Sequence, residues 1–169
     1  MSRAAEDAEI LSVVDLTDSV IGENRRDEIH RLGLCHRAIH VLVFNPEGAV
    51  FLQKRGLHKQ ENPGMWDSSV AGHVDAGESY DDCCVREIEE EVGLVLDRVP
   101  PRLFKLEATE VTGMEFAWVY RVDTDQTLSP NAQEISGGGW FDPAELDDRI
   151  DSGDPSLCGV FSLIWQTYR

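Results

Sequence analysis

The stretch Gly72–Leu94, GHVDAGESYDDCCVREIEEEVGL, crowds four glutamates and an arginine into the six positions from Arg86 to Glu91. Ser79 with Asp82 three residues on has the form of a capping box, and Gly93 is a natural terminator. A helix from about Ser79 to Val92 is therefore expected. Residues three and four apart share a helix face, so Glu87, Glu90 and Glu91 project to one side while Arg86 and Glu89 lie away from its centre. Like charges so placed repel by roughly a few tenths of a kcal/mol per exposed pair, and by more in a cleft of lower dielectric. A divalent cation reverses the sign. Oxygen ligands at this spacing suit Mg²⁺ or Mn²⁺, and Mg²⁺ shares its shell with carboxylates, water and substrate phosphates. An ordinary solvated acidic face, with Arg86 paired to Asp82 or Glu90, would account for the glutamates alone. Gly72, Gly77 and Glu78 in the loop ahead of the helix tip the balance, because glycine lets backbone approach a ligand or metal closely.

The whole chain narrows the classes of partner. Its 169 residues, 41% of them hydrophobic, suffice for one compact domain. Thirty-two acidic against fifteen basic residues give a net charge of −17, which argues against a nucleic-acid polymer or an anionic membrane as partner. A small anionic substrate then needs local help from basic side chains or a bound cation. Cys35, Cys83, Cys84 and Cys158 show neither metal-type spacing nor a disulfide framework, which fits a reducing cytoplasm. No apolar run reaches the length of a membrane span, and MSRAAEDAEI lacks the order of a signal peptide. The chain reads as soluble and cytoplasmic.

Strands outnumber helices along the sequence. The first residues read as polar and loose. EILSVVDLTDSVIGENRR, residues 9–26, reads as two extended runs joined by a turn at Asp15 to Asp18, and RRDEIHRLG as one or two helical turns stopped by Gly33. RAIHVLVFNPEGAVFLQKRG, residues 37–56, is a hairpin turning at Asn45-Pro46-Glu47-Gly48. Extended pieces are expected from Trp66 to Val74, with further strands at Arg102 to Thr109, Glu115 to Val122 and Gly138 to Phe141. The helix DPAEL follows, and a last helix from about Ser156 to Tyr168 carries Leu157, Val160, Phe161, Ile164 and Trp165 on one face. The class is α+β.

Gly72, five residues, Glu78, seven residues, Arg86-Glu87-Ile88, one residue, Glu90-Glu91, one residue and Gly93-Leu94 match the Nudix box at all nine defined positions, so the chain resembles the Nudix, or MutT-like, hydrolases. The resemblance implies an α/β/α sandwich around a mixed β-sheet. Residues 1–33 would add an N-terminal β-hairpin extension to the same domain, and residues 34–169 would form the hydrolase domain. It also implies Mg²⁺- or Mn²⁺-dependent hydrolysis of a diphosphate linkage in a nucleoside diphosphate derivative or related small organic diphosphate. Carried over position by position, Glu87 and Glu91 are the principal metal ligands, Glu90 a further one, and the Ala71 carbonyl completes the protein shell. Gly72, Glu78 and Arg86 support them. A cation there would neutralise charge on the diphosphate and acidify an attacking water. For the general base, Glu90, Glu87, Glu134 in NAQEISGGGW and Glu115 at the head of EFAWVYRV are alternatives. In the basic stretch QKRGLHK, residues 53–59, Arg55 and Lys59 are candidates for the substrate phosphates, or else solvated charge at a strand end.

Residues 36–79 also resemble type I isopentenyl-diphosphate isomerases, a branch of the superfamily that moves a double bond. Those enzymes place an acid/base cysteine directly before a Gly-His pair; here that position is Ala71, which has no proton to give. His36 and His73 match metal-binding histidines of that branch, whereas His30, His40 and His58 carry no comparable signal. The intact REIEEEVG favours hydrolysis over isomerisation, and a non-catalytic nucleotide sensor is a third alternative. Trp66, Phe116, Trp118 and Phe141 either stack on a base or belong to the core. The N-terminal hairpin and the C-terminal helix are the candidate surfaces for a homodimer.

Overall fold

A computed structural model of the chain describes residues 2–169. Its organising element is the strand β3 (His36–Phe44), buried along nearly its whole length. The run RAIHVLVF supplies apolar side chains to both faces: Ala38, Leu42 and Phe44 enter one core, Ile39, Val41 and Val43 the other. A strand buried on both sides needs such a continuous run rather than alternation.

β3 pairs in parallel with β8 (Glu115–Asp123) over all nine residues, His36 opposite Glu115. Along its other edge it forks. Ala38 to Val41 pair antiparallel with β6 (Val70–His73), whereas Val43 and Phe44 pair with β4 (Val50–Arg55). From there β4 diverges to join β5 (Trp66–Asp67) and β9 (Ile135–Phe141). The seventh strand, β7 (Arg102–Leu106), extends the sheet beyond β8. Together these make a mixed seven-stranded sheet.

One helix, α3 (Tyr80–Val92), covers one face through Cys83, Cys84, Ile88 and Val92. On the other face α4 (Pro143–Asp151) supplies Leu146 and Ile150, and α5 (Gly159–Tyr168) supplies Phe161, Ile164 and Trp165. The α/β/α sandwich expected from the sequence is the architecture found. The N-terminal hairpin is present as a separate two-stranded sheet, β1 (Ile10–Val14) with β2 (Val20–Arg25), followed by α2 (Arg26–Leu32), which Gly33 ends at φ 64°. Among the described residues no helix is long and apolar enough to cross a membrane.

Several boundaries differ from the sequence reading. Residues read as loose form a short helix, α1 (Arg3–Asp7), which Ser2 caps and which buries Glu6. α4 runs past DPAEL because Asp142 caps it, Pro143 suits its first turn, and Leu146 and Ile150 stack four apart on the sheet. β9 begins at Ile135 rather than Gly138, β7 stops at Leu106, and α5 starts at Gly159.

Candidate active site

α3 is aimed by its first turn. The Ser79 hydroxyl accepts from the Asp82 amide at 3.1 Å, as the capping-box pattern requires. In the turn before it, Gly77 adopts φ 80° and the Asp75 amide donates to Glu78 Oε2 at 3.0 Å. Glu78 thereby faces Arg86, whose Nε and Nη2 reach its two oxygens at 2.8 and 2.9 Å. Such a bidentate pair fixes the guanidinium plane. The remaining Nη1 donates to Glu87 at 2.8 Å and to Glu90 at 3.2 Å. Arg86 therefore sits among the carboxylates instead of away from them as a helical wheel places it, because its guanidinium reaches Glu78, Glu87 and Glu90 together. Glu89 is exposed.

Glu91 accepts from Gln53 Nε2 at 2.9 Å and from the Ala71 amide at 3.2 Å. Both bonds fall on Oε2, which leaves Oε1 for a cation. Burial raises the Glu91 pKa well above the ordinary carboxyl value, and the neighbouring Glu87 charge adds to the rise. Burial likewise raises Glu87, against the pull of Arg86. A Cβ at Gly72 would stand 2.3 Å from Glu87 Cδ, so the first glycine of the motif is the space this carboxylate occupies. Mutually repelling carboxylates, all oxygen donors, fit a hard divalent cation.

A second constellation lies beside the first. The strand register sets His36 opposite Glu115 and Ala38 opposite His73, and His30 reaches in from α2. The three imidazole centroids form a triangle with sides of 5.0, 5.3 and 5.2 Å. One ligand atom from each ring and from Glu115 all fall within 4.8 Å of one another. Glu115 Oε1 lies 2.8 Å from His73 Nε2 and 3.3 Å from His36 Nε2, the latter without hydrogen-bonding geometry. His36 is 1% exposed, and Nε2 of both His30 and His36 is buried without a hydrogen-bond partner. Their other nitrogens are oriented from outside: His36 Nδ1 lies 2.9 Å from the Leu34 carbonyl, and His30 Nδ1 meets the Glu61 carboxylate. Outer partners of this kind orient histidines that ligate metal.

The same proximity sets the charges. Burial would raise the Glu115 pKa, but His73 and His36 outweigh it and hold the carboxyl well below its usual range. Burial drives His73 down to about 4, whereas beside Glu115 the burial of His36 is overridden and its pKa is raised.

Ala71, Glu87, Glu90, Glu91, His73 and Glu115 open into one cavity of about 1040 Å³. Its cations are all paired. Arg55 is bound to Asp67 at 3.3 Å and to the Glu61 carbonyl at 2.9 Å. Lys59 meets Glu134 and lies 3.0 Å from Glu6. Arg26 lies 3.5 Å from Glu9 and 3.7 Å from Glu6. Burial opposes the ionised form of Glu134, but Lys59 outweighs it and lowers its pKa.

The aromatic candidates belong to packing. Trp66 meets Phe141 edge-on at 5.0 Å, Phe116 is buried, and Trp118 lies under the Arg102 guanidinium at 4.6 Å. His40 is tied to Ser68 at 3.0 Å, and His58 is exposed. The sequence reading missed Arg26, His30 and Gln53. Arg26 and His30 stand four apart on α2, a one-face spacing that was available in RRDEIHRLG.

The NUDIX domain family model matches residues 35–157. The chain belongs to the Nudix family. It is 33% identical over 165 residues to an uncharacterised Nudix hydrolase of Nostoc sp., spanning 96% of this chain and 98% of that protein. A crystal structure from Deinococcus radiodurans superposes with a TM-score of 0.82 at 30% identity, covering 95% of this chain and 100% of that one. An isopentenyl-diphosphate Delta-isomerase of Burkholderia multivorans is 30% identical over 157 residues, 90% of this chain and 88% of that enzyme. As a Nudix hydrolase the protein is an enzyme of a family that hydrolyses pyrophosphate linkages in small molecules and generally uses a divalent metal.

Proposed function

We propose that the protein hydrolyses the diphosphate linkage of a nucleoside diphosphate derivative or related small organic diphosphate, using Mg²⁺ or Mn²⁺. The observation that carries this reading is the pairing of Glu87 and Glu91, two half-buried carboxylates with raised pKa values on one cavity wall, one seated in the space at Gly72. Glu87, Glu90 and Glu91 would hold the cation, with the Ala71 carbonyl beside them. When bound, it supplies electrostatic relief to the diphosphate and acidity to an attacking water.

The chain's own residues do the rest. Gln53 and the Ala71 amide fix the Glu91 carboxylate, and the Glu78–Arg86 pair fixes Glu87 and Glu90. Arg55 and Lys59 meet substrate phosphates, exchanging a carboxylate partner for a phosphoryl oxygen. Glu87 or Glu90 takes the proton of the attacking water. Glu134 serves Lys59 as counter-ion, since a carboxylate with a lowered pKa is a poor proton acceptor. His30, His36, His73 and Glu115 would hold a second cation; three nitrogens and one oxygen suit a transition metal better than Mg²⁺.

One observation favours a second reading. The histidine cluster includes both positions that match the isomerase branch, and an isomerase of that branch is a relative. Isomerisation needs a proton donor at position 71, where the methyl of Ala71 offers none, so hydrolysis is the better-supported activity.

The test is release of phosphate or nucleotide with Mg²⁺ or Mn²⁺ from a panel of nucleoside diphosphates and triphosphates, dinucleotides, sugar nucleotides and isopentenyl diphosphate. At least one should be cleaved. Glu87→Gln and Glu91→Gln should each lower turnover by about 10²-fold or more and weaken Mg²⁺ binding without unfolding the protein. Wild-type rates in either variant, or isomerase activity in the unaltered protein, would refute the assignment.

A further inference from the structure

Glu6 is a carboxylate carried into the cavity by a five-residue helix that buries no apolar side chain. Of the five residues of α1, Glu6 alone is buried, at 7% exposure; Arg3, Ala4 and Ala5 face solvent. An isolated helix of that length is unstable in water. No apolar side chain of α1 is buried to compensate. What fixes Glu6 is charge: Oε1 lies 3.0 Å from Lys59 Nζ, and Oε2 lies 3.7 Å from Arg26 Nη1. One carboxylate thus spans two cations that line the same cavity as the α3 glutamates. Two anionic oxygens shared between an ammonium and a guanidinium reproduce what a phosphoryl group would offer them.

We propose that Glu6 competes with the substrate for Lys59 and Arg26, and so sets the enzyme's affinity for diphosphates. This rests on the assignment of the cavity to a diphosphate substrate. A phosphoryl group carries more charge than a carboxylate and displaces it. Glu6 then leaves the cavity, and α1 undocks. Each of the two cations keeps a second carboxylate, Glu134 for Lys59 and Glu9 for Arg26, which holds it at the cavity wall while Glu6 exchanges. Glu6, His58 and Glu134 also group closely enough to suggest a metal site. The Lys59 ammonium already joins Glu6 to Glu134, so a metal ion would have to evict it.

A competitor tethered to the protein lowers apparent affinity by the fraction of molecules in which it is docked. Glu6→Gln keeps the shape and removes the charge. In calorimetric titration of the full-length protein with methylenediphosphonate and Mg²⁺, this variant should bind about three-fold or more tighter than wild type. KM for whichever diphosphate is cleaved should fall with little change in kcat. Glu6→Asp, which keeps the charge, should behave closer to wild type. Amides of α1 should lose hydrogen-exchange protection when methylenediphosphonate binds wild type. Equal or weaker binding by Glu6→Gln, or greater protection of α1 on binding, overturns the proposal, for Glu6 would then be a mere brace for Lys59 or part of a closing lid. The activity assay keeps the two readings separate: an active wild type with unchanged affinity in Glu6→Gln sinks the competition alone, whereas absence of metal-dependent cleavage sinks the diphosphatase reading itself.

Discussion

A methyl group at position 72 would lie 2.3 Å from Cδ and 2.4 Å from Oε1 of Glu87. Those separations are far inside van der Waals contact, so Gly72→Ala must push the carboxylate aside. Because the displaced atoms are the end of a flexible side chain, the fold should tolerate the change and the site should not. The expected result is a loss of about 10² in kcat/KM and weaker Mg²⁺ binding, with a melting temperature within a few degrees of wild type; full activity would show that Glu87 need not occupy this space. The sequence marks Gly72 as a position where something comes close. It does not say that the visitor is a side chain from a helix fifteen residues on. Glu78, Arg86, Glu87, Glu90 and Glu91 were legible because their spacing is local to one loop and one helix. Gln53 was not: it follows three apolar residues in β4, nothing in that strand marks it, and only pairing through the sheet brings it to Glu91.

α3 carries a conflict between its fold and its function that pH exposes. Glu87 and Glu91 have raised pKa values, so the folded protein without metal binds more protons than the unfolded chain once pH exceeds the ordinary carboxyl value of about 4.5. The stability these two carboxyls contribute then falls as pH rises through that window toward about 7, the raised value for Glu87. His73 acts in the opposite sense. Its pKa is lowered from 6.5 to about 4, so folded His73 stays neutral while the unfolded chain takes up a proton, and stability is lost as pH falls from the first value to the second. Comparing melting curves in chelator for wild type and the Glu87→Gln/Glu91→Gln double variant separates the two. The double variant should gain stability relative to wild type as pH rises from 5 to about 7, and Mg²⁺ should stabilise wild type more at pH 7 than at pH 5. A constant difference between the curves would mean that the two carboxyls titrate normally. The boundaries of α3 were readable since cap and terminator are both local signals. α1 was not readable: five residues with no apolar periodicity show no helix, and the cations that meet its buried Glu6, Arg26 and Lys59, lie far along the chain.

At the scale of the molecule, the fork in β3 and the N-terminal segment shape the wall of the cavity. β3 passes from β6 to β4 along one edge, and the separation leaves Ala38, His40, Gln53 and Ala71 on the wall of one space. The hairpin pattern in residues 37–56 predicts the strands but not the fork, because pairing with β6 is settled by residues 70–73. The N-terminal segment then brings His30 to His36, His73 and Glu115, four residues that no local spacing links. Removing this one ligand tests whether the segment completes a metal centre. His30→Ala leaves Glu61 without its imidazole partner, but the Glu61 side chain is 45% exposed and water can replace the bond at little cost. The variant should therefore fold, with a melting temperature in chelator near that of wild type. Its affinity for Mn²⁺ or Zn²⁺ should drop by about ten-fold or more, while Mg²⁺ binding at the α3 carboxylates should persist. Elemental analysis after equilibration with equal metal should find one fewer transition-metal ion per chain than in wild type. An unchanged metal content in His30→Ala would reduce the triangle of imidazoles to packing, and would leave the N-terminal segment without a part in metal binding.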